Sequence, residues 1–546
     1  MNTTKEIGYK AIFWASGASG VAALIYEVVW FRALTNTIGG TIYSFSILMA
    51  AFLAGLAIGG RWGGIYAGRS KNLFKAFGLL QLGIGLFGTA VFYIVNRLEP
   101  VYGLLYYKLR LSFGGFTVAQ MALVFFLLLV PTILMGANFP IVVKIWSERR
   151  KEIGRNAGDI YAINTWGSVL GTMAAGFILV PMLGLRWSNL TAGLINLSLA
   201  VLAFVFAGSR QLKWVVLPAF FSVQLLLLFS AAPPGLAFGY GVADKYDSFA
   251  QFKEAVAGLK TVFDKESDYG RVQVFKERLP KGTQLILVNG GRVEGSTGAD
   301  AGTQRLVAYL PRVIHKKPRS LLNIGLGTGM TLATAVDDNR LTRLDNVEIN
   351  RAVYEAVEAV LYPGLFNDTR LTAIEDDARH YLALTKQKYD IIISEPSYPT
   401  SEAQAHLFTQ EFYKIVKNKL AKDGIFVQWL PGYLLNQHEI WTATKTLATV
   451  FPNLYVWMSG PSDIVFIIPN SDRPLDPAQL EAELKSNYKD IGRLRFMGGP
   501  GQLSVLNADP SIPINVDDLP RIEFSAARNK LTGVRQEIED QKKDQP

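Results

Sequence analysis

Three acidic residues, Glu348, Asp377 and Glu395, each follow a short apolar run, and three glycines, Gly325, Gly327 and Gly329, follow another. An ionised carboxylate is a pure acceptor, so one at the end of a strand suits the two hydroxyls of a ribose. Glycines that open a helix let the backbone turn sharply and let a nucleoside approach with no Cβ in the way. In Ser320-Leu-Leu-Asn-Ile-Gly-Leu-Gly-Thr-Gly-Met330, the run Leu321, Leu322 and Ile324 reads as a buried parallel strand leading into those glycines. A glycine triplet alone is a weak motif. Followed by Glu348 and then Asp377, it points to a nucleoside-type cofactor. Glu395 opens Glu395-Pro-Ser-Tyr-Pro399 after the strongly apolar Tyr389–Ser394, which sets it at the same crevice. The four histidines show no metal-ligand spacing, and His406 reads as a surface or packing residue.

The elements that position these residues alternate. Helical patterns at 352–360 and 408–420 lie between apolar runs at 320–324, 371–374, 389–394 and 425–429. Strands alternating with helices imply a mostly parallel sheet whose ligands bind beyond the carboxyl ends of the strands. Glu348, Asp377, Glu395 and Gln428 all fall at such ends. Upstream, Gly270–Phe275 and Thr283–Val288 alternate around Pro280-Lys-Gly282, a β-hairpin signal. The expected domains are a membrane domain over 1–231, a linker with an amphipathic helix over 232–267, a small β-domain over 268–317 and a catalytic domain over 318–530. A mobile polar tail over 531–546 completes the chain. Asn515–Asp518, in a late loop, is a further candidate for closing over the site.

The first half has another character. Half of the 546 residues are apolar and mean hydropathy is +0.21, but long apolar runs stop near Phe229. A bilayer core demands roughly 20 apolar residues per helix. Seven spans are expected, near 9–34, 42–67, 73–95, 116–146, 158–183, 187–208 and 212–230. Glycines spaced four apart, such as Gly55, Gly59 and Gly63, suit close helix packing in lipid. Glu27, inside the first span, is costly in lipid unless paired. It forms a membrane polar site with Arg32, as an ion pair to Arg32 or Arg61 or as the lining of a cavity shared with Asn138 and Asn164. The net charge of +10 is topological rather than a nucleic-acid signal, because many basic residues sit between apolar runs. Alternate loops carry Lys5 and Lys10, then Arg69, Lys71 and Lys75, then Lys144 through Arg155, then Arg210 and Lys213. The positive-inside rule thus sets the N-terminus in the cytoplasm. Seven spans then leave the second half on the extracytoplasmic side of a multi-pass inner (plasma) membrane protein. With no cysteine, disulfides, thiolate metal sites and cysteine nucleophiles are excluded.

Taken together, Asn289-Gly290, Thr303-Gln304, Ile324–Gly329, Val347-Glu348-Ile349, Asp377, Tyr389–Pro399 and Leu407–Tyr413 resemble the spermidine synthase family. They are closest to its membrane-fused relatives, the fused MFS/spermidine synthase-like proteins. The resemblance covers roughly 268–433. It implies an α/β class I methyltransferase-like (Rossmann-type) domain with a small N-terminal β-domain, here behind an α-helical multi-span membrane domain. It also implies transfer of an aminopropyl group from decarboxylated AdoMet to an amine, without a metal. By the same resemblance Gln304, Gly325, Gly327, Thr328, Glu348 and Asp377 bind the nucleoside co-substrate, with Asp377 on the adenine amine. Glu395 and Tyr398 are catalytic, and Glu395 takes the place of the aspartate that accepts the attacking amine's proton. Asn289, Gln428 and Tyr433 line the acceptor.

Three positions depart from the family pattern. Thr328 stands where an Asp holds the donor's amino group, Tyr398 where a second Asp follows the fourth strand, and Asn289 where an Asp is usual. These changes are expected to thin out the negative pocket and leave methyl transfer from intact AdoMet open beside aminopropyl transfer. The alternative is a non-catalytic transporter or sensor that binds a polyamine or nucleoside; an acceptor that is lipidic or a membrane-bound polypeptide is a third reading. Expected partners are an amine or polyamine and the lipid bilayer, with no nucleic acid and a homodimer left open.

Overall fold

The computed structural model describes residues 3–38, 42–109, 113–148, 153–208, 248–280, 282–399, 402–471, 474–491 and 493–523, with Pro218 and Phe221. The chain divides into two compact units, Met1–Leu111 with Gly115–Phe249, and Ser112–Gly114 with Ala250–Pro546.

The first unit is helical. Its long helices run over Thr3–Ile38, Ile42–Arg69, Leu73–Val95, Phe113–Ser147, Ile153–Ala174 and Val180–Phe206. Five stretches of the described residues are long and apolar enough to cross a membrane: Glu6–Thr35, Phe45–Arg69, Leu73–Val95, Val118–Ser147 and Gly154–Phe206. The last is interrupted by Gly184, with φ 75° and ψ 170°, between the expected fifth and sixth spans. The expected seventh span and the polar tail lie outside the described residues, save Pro218 and Phe221.

Small residues bring these helices backbone to backbone. A Cβ on Gly59 would lie 1.9 Å from the carbonyl oxygen of Ile133, and one on Gly167 equally close to that of Gly17. Buried polar side chains then bond across the bundle. Gln81 Nε2 donates to Ser19 Oγ (3.0 Å) and Asn138 Oδ1 (3.2 Å), and the Tyr26 hydroxyl meets Thr89 Oγ1 at 3.0 Å. Asn138 is thereby engaged within a closed cluster. Glu27 and Arg32 share the first helix, but among the described residues no ion pair joins Glu27 to Arg32 or to Arg61. At a spacing of five residues the first two point about 140° apart around the helix, outside the reach of neighbours three or four apart.

The second unit begins with a four-stranded antiparallel sheet of β1 (Lys260–Lys265), β2 (Val272–Leu279), β3 (Gly282–Asn289) and β4 (Arg292–Ser296). β1 falls in the stretch expected to be linker, after a helix at Phe249–Ala257. As an exposed edge strand it carries little apolar signal.

Eight further strands are β5 (Ser320–Ile324), β6 (Arg343–Glu348), β7 (Leu371–Glu375), β8 (Tyr389–Ser394), β9 (Leu420–Pro431), β10 (Tyr455–Ser459), β11 (Asp463–Pro469) and β12 (Leu494–Gly498). They form one sheet in the order β12-β10-β11-β9-β8-β5-β6-β7. β5 to β9 are parallel, and β11 enters antiparallel against β9. Alternate residues serve two cores. Leu321, Ile391, Ile393 and Val427 pack on one face with the helix Ala301–Ile314. Leu322, Ile324, Ile392 and Phe426 pack on the other with the helices Gln410–Lys419 and Gln437–Val450. Helices on both faces explain why the central strands are continuously apolar. This is a Rossmann-type, methyltransferase-like architecture. Its strand order reverses between β5 and β8, which opens a crevice at their carboxyl ends.

Candidate active site

The loop after β5 needs its glycines, since Gly325, Gly327 and Gly329 have φ of 81°, 51° and 82°. Glu348, at the end of β6, is bound to that loop. Its Oε2 accepts the Leu326 N–H (3.1 Å) and its Oε1 the Asn350 N–H (2.9 Å). Burial pushes this carboxyl up, while the N–H groups of Asn350, Leu326 and Ile349 draw it back. Thr328 is buried, and its hydroxyl bonds Gln304 Oε1; Gln304 Nε2 in turn donates to Ser296 O at 3.0 Å. Asn289 Oδ1 accepts from Asn350 Nδ2 at 3.5 Å.

Asp377 caps the helix Ala378–Leu384, accepting the His380 N–H at 2.9 Å. His406, read from sequence as surface or packing, stands with Nε2 3.6 Å from Asp377 Oδ2. The nearby imidazole is the main influence holding that carboxyl below the usual range. The late loop pins the helix behind this corner instead of closing over the site. Asn515 is buried, donating to Phe408 O (3.0 Å) and accepting the Gln410 N–H on its carbonyl (2.9 Å). Asp517 pairs with Arg379 Nη1 at 2.7 Å.

Glu395 follows β8 and is tied to the end of β5, its N–H donating to Ile324 O at 3.3 Å. Its Oε1 accepts from Thr331 Oγ1 at 3.0 Å, on the helix after the glycine loop. Burial pushes its carboxyl up to about 7 against that one hydrogen bond. Tyr398, expected among the catalytic residues, is a brace by its contacts. Its hydroxyl donates to Val293 O (2.5 Å), and the Arg292 guanidinium lies 5.1 Å from its ring centroid. Burial, reinforced by the charge of Glu294, pushes its phenol well above the ordinary value, so it takes up no proton at neutral pH. Gln428 is buried on β9 beside Ser394 and donates to Trp429 O at 3.0 Å. Tyr433, in the turn Gly432–Leu434, is half exposed.

Sequence reasoning missed the acids that gather here from other elements. In β4, Val293 pairs with Val288 and Gly295 with Leu287, so Glu294 is an unpaired bulge residue. Bulges re-aim side chains next to sites. Glu294 is hydrogen-bonded to Ser397, and burial pushes it up to about 7. Asp463 accepts from Thr303 Oγ1 (2.8 Å) and Trp429 Nε1 (3.3 Å). Burial of Tyr433 and the charges of Asp463, Asp300 and Glu294 together raise its phenol. Beside the three positions that lack an Asp, the charges of Asp463, Asp300 and Glu294 thus reach Tyr433. They come from a β-bulge, a helix start and β11. A bulge has no apolar period to betray it, and Asp463 is remote in sequence.

The model of the spermine/spermidine synthase domain matches residues 301–461. The polyamine aminopropyltransferase of Oceanobacillus iheyensis is 20% identical over 450 residues, 81% of each chain. That of Corynebacterium efficiens is 26% identical over 442 residues, 78% of each. That of Methanocaldococcus jannaschii is 30% identical over 195 residues, 34% of this chain and 66% of its own. Among solved structures, the spermidine synthase from Thermotoga maritima aligns with a TM-score of 0.35 at 20% identity, covering 50% of this chain and 88% of its own. The chain thus carries a spermine/spermidine synthase domain, has polyamine aminopropyltransferases as homologues, and is an aminopropyltransferase-like enzyme.

Proposed function

We propose that this protein is a membrane-integrated transferase that moves an aminopropyl group from decarboxylated AdoMet to an amine acceptor. The observation that carries the reading is Glu395, a carboxylate at the β5/β8 crevice, pushed by burial to about 7 and held by Thr331. A base of that strength is matched to work at neutral pH. The nucleoside rests on Glu348 under the glycine loop, with Asp377 at the adenine end. The acceptor amine gives its proton to Glu395 and attacks the donor carbon next to the sulfonium. The new C–N bond forms as the C–S bond breaks, and the sulfur's electron pair leaves with methylthioadenosine. Glu294, Asp300 and Asp463 supply the negative field that gathers cationic substrates. The curated relatives named as aminopropyltransferases favour this group over methyl.

The apolar helices are the support for membrane integration, and the alignment to the Oceanobacillus relative, longer than the second unit, takes in part of them. The reading is completed by a multi-pass position in the inner membrane, with the loop charges favouring an extracytoplasmic second unit. The test is to incubate purified full-length protein in lipid nanodiscs with decarboxylated AdoMet or AdoMet and a panel of diamines and polyamines. Methylthioadenosine release dependent on decarboxylated donor and amine is expected. Release of S-adenosylhomocysteine from AdoMet, dependent on the amine that takes the methyl group, would replace aminopropyl by methyl transfer.

A further inference from the structure

Decarboxylated AdoMet ends in a primary ammonium three carbons from its sulfonium, and intact AdoMet carries a carboxylate beside that amine. A site that uses the first must meet the ammonium with an anion, because a buried unpaired charge is costly. The loop after β5 offers none: Thr328 is neutral and its hydroxyl is committed to Gln304.

The anion stands on the strand against that loop. A Cβ on Gly295 would lie 3.2 Å from Thr328 Cγ2 and 3.5 Å from Gln304 Nε2, so the β4 bulge rests directly on Thr328. Glu294 is the bulged residue itself. It shares a hydrogen bond with Ser397, in the segment after Glu395, and it feels the charge of Glu348 from the ribose side. No ion pair of the described residues includes Glu294. Arg292, two residues before it, stacks on Tyr398. The carboxylate thus lies between the glycine loop, Glu348 and the segment after β8; Ser397 bonds it, and the charge of Arg292 draws its carboxyl down less strongly than burial raises it.

We propose that Glu294 binds the terminal ammonium of the aminopropyl donor and, by repelling the carboxylate of intact AdoMet, selects the decarboxylated form. The inference rests on the reaction assigned above and adds the residue that sets its donor specificity. Selection of this kind works by attraction and repulsion together. The negative charge usual in the glycine loop has moved across the crevice to a neighbouring strand.

Calorimetry on the full-length protein tests this with three ligands: decarboxylated AdoMet, intact AdoMet, and methylthioadenosine, which lacks the amino-terminated tail. Glu294→Gln keeps shape and hydrogen-bonding reach while removing charge. It is expected to weaken decarboxylated AdoMet by about 10- to 100-fold, the usual worth of a hydrogen bond to a charged group, and to leave methylthioadenosine unchanged. Preference over intact AdoMet should shrink in step. Adding Thr328→Asp to Glu294→Gln should restore the decarboxylated donor. Equal weakening of all three ligands would mean that Glu294 merely shapes the wall. Unchanged donor affinity with a raised KM for the amine would move Glu294 to the acceptor. Either result overturns the proposal, as does a double variant that recovers nothing. Should Glu294→Gln fail to fold, Glu294→Asp, charged but shorter, is expected to show a smaller loss confined to the decarboxylated donor. Binding is read without turnover, so an enzyme that binds selectively yet transfers no aminopropyl group overturns the reaction and not this assignment.

Discussion

Glu395→Gln isolates the proton-accepting step. The amide keeps the shape and the oxygen that Thr331 bonds at 3.0 Å, and loses both basicity and charge. Loss of a general base lowers turnover by about 10²–10⁴-fold. A pH signature goes with it. With the carboxyl pushed up to about 7 by burial, about a tenth is ionised one pH unit lower. At about pH 6 the wild-type kcat/KM should therefore stand near a tenth of its plateau, rising as the competent, deprotonated form accumulates. The variant should lose that limb along with its rate, whereas the acceptor amine's own ionisation affects both proteins alike. The assay is initial-rate release of methylthioadenosine across the neutral range, with calorimetry to show that product affinity is unchanged. A variant within a few-fold of wild type, with a parallel profile, would remove Glu395 from the chemistry and leave positioning alone as the source of catalysis.

Two raised carboxyls make stability depend on pH. Glu294 and Glu395 hold their protons more tightly folded than unfolded, so their contribution is fully present below about 4.5 and lost as pH rises through about 7. The Tm of ligand-free protein should fall across that window, and less steeply in Glu395→Gln; a flat wild-type profile refutes this. Glu348→Ala should weaken methylthioadenosine about 10-fold or more and lower Tm, because the N–H groups of Leu326 and Asn350 lose their acceptor. Unchanged affinity by calorimetry would withdraw the ribose assignment. Gly59→Leu should unfold the helical unit in detergent melts, since even a Cβ meets the Ile133 carbonyl at 1.9 Å; a wild-type melt refutes the close contact. A reporter fused after Pro546 should be active only outside the cytoplasm, and cytoplasmic activity would reverse the orientation.

What could be read from sequence followed the strength of the apolar signal. The central strands were visible because both faces are buried, and their ends carried Glu348, Asp377 and Glu395 with them. Six of the expected spans coincide with described helices, and Gly184 breaks the longest apolar stretch between the expected fifth and sixth. Failures came where pattern is weak or contact is distant. β1 is an exposed edge. Glu294 sits on a bulge, where the period of two that exposes a strand is broken. Asp463 meets Thr303 across 160 residues, and no local rule joins them. The contact of the Tyr398 hydroxyl with the Val293 carbonyl was likewise out of reach, because nearness to Glu395 in sequence says nothing of a partner 105 residues away.

Glu348 has a consequence for how such a protein can diverge. The carboxylate assigned to the ribose also fastens the glycine loop to the start of the next helix. Any exchange there is felt as misfolding before it is felt as altered preference, so the nucleoside end of the site has little freedom to explore. The tail end is differently built. Glu294 on its bulge and Thr328 with its neutral hydroxyl can trade charge while the strands beneath keep their register. New donors and acceptors are therefore reached most readily from that wall, and an engineer seeking a different transferred group should begin there and leave the ribose wall intact.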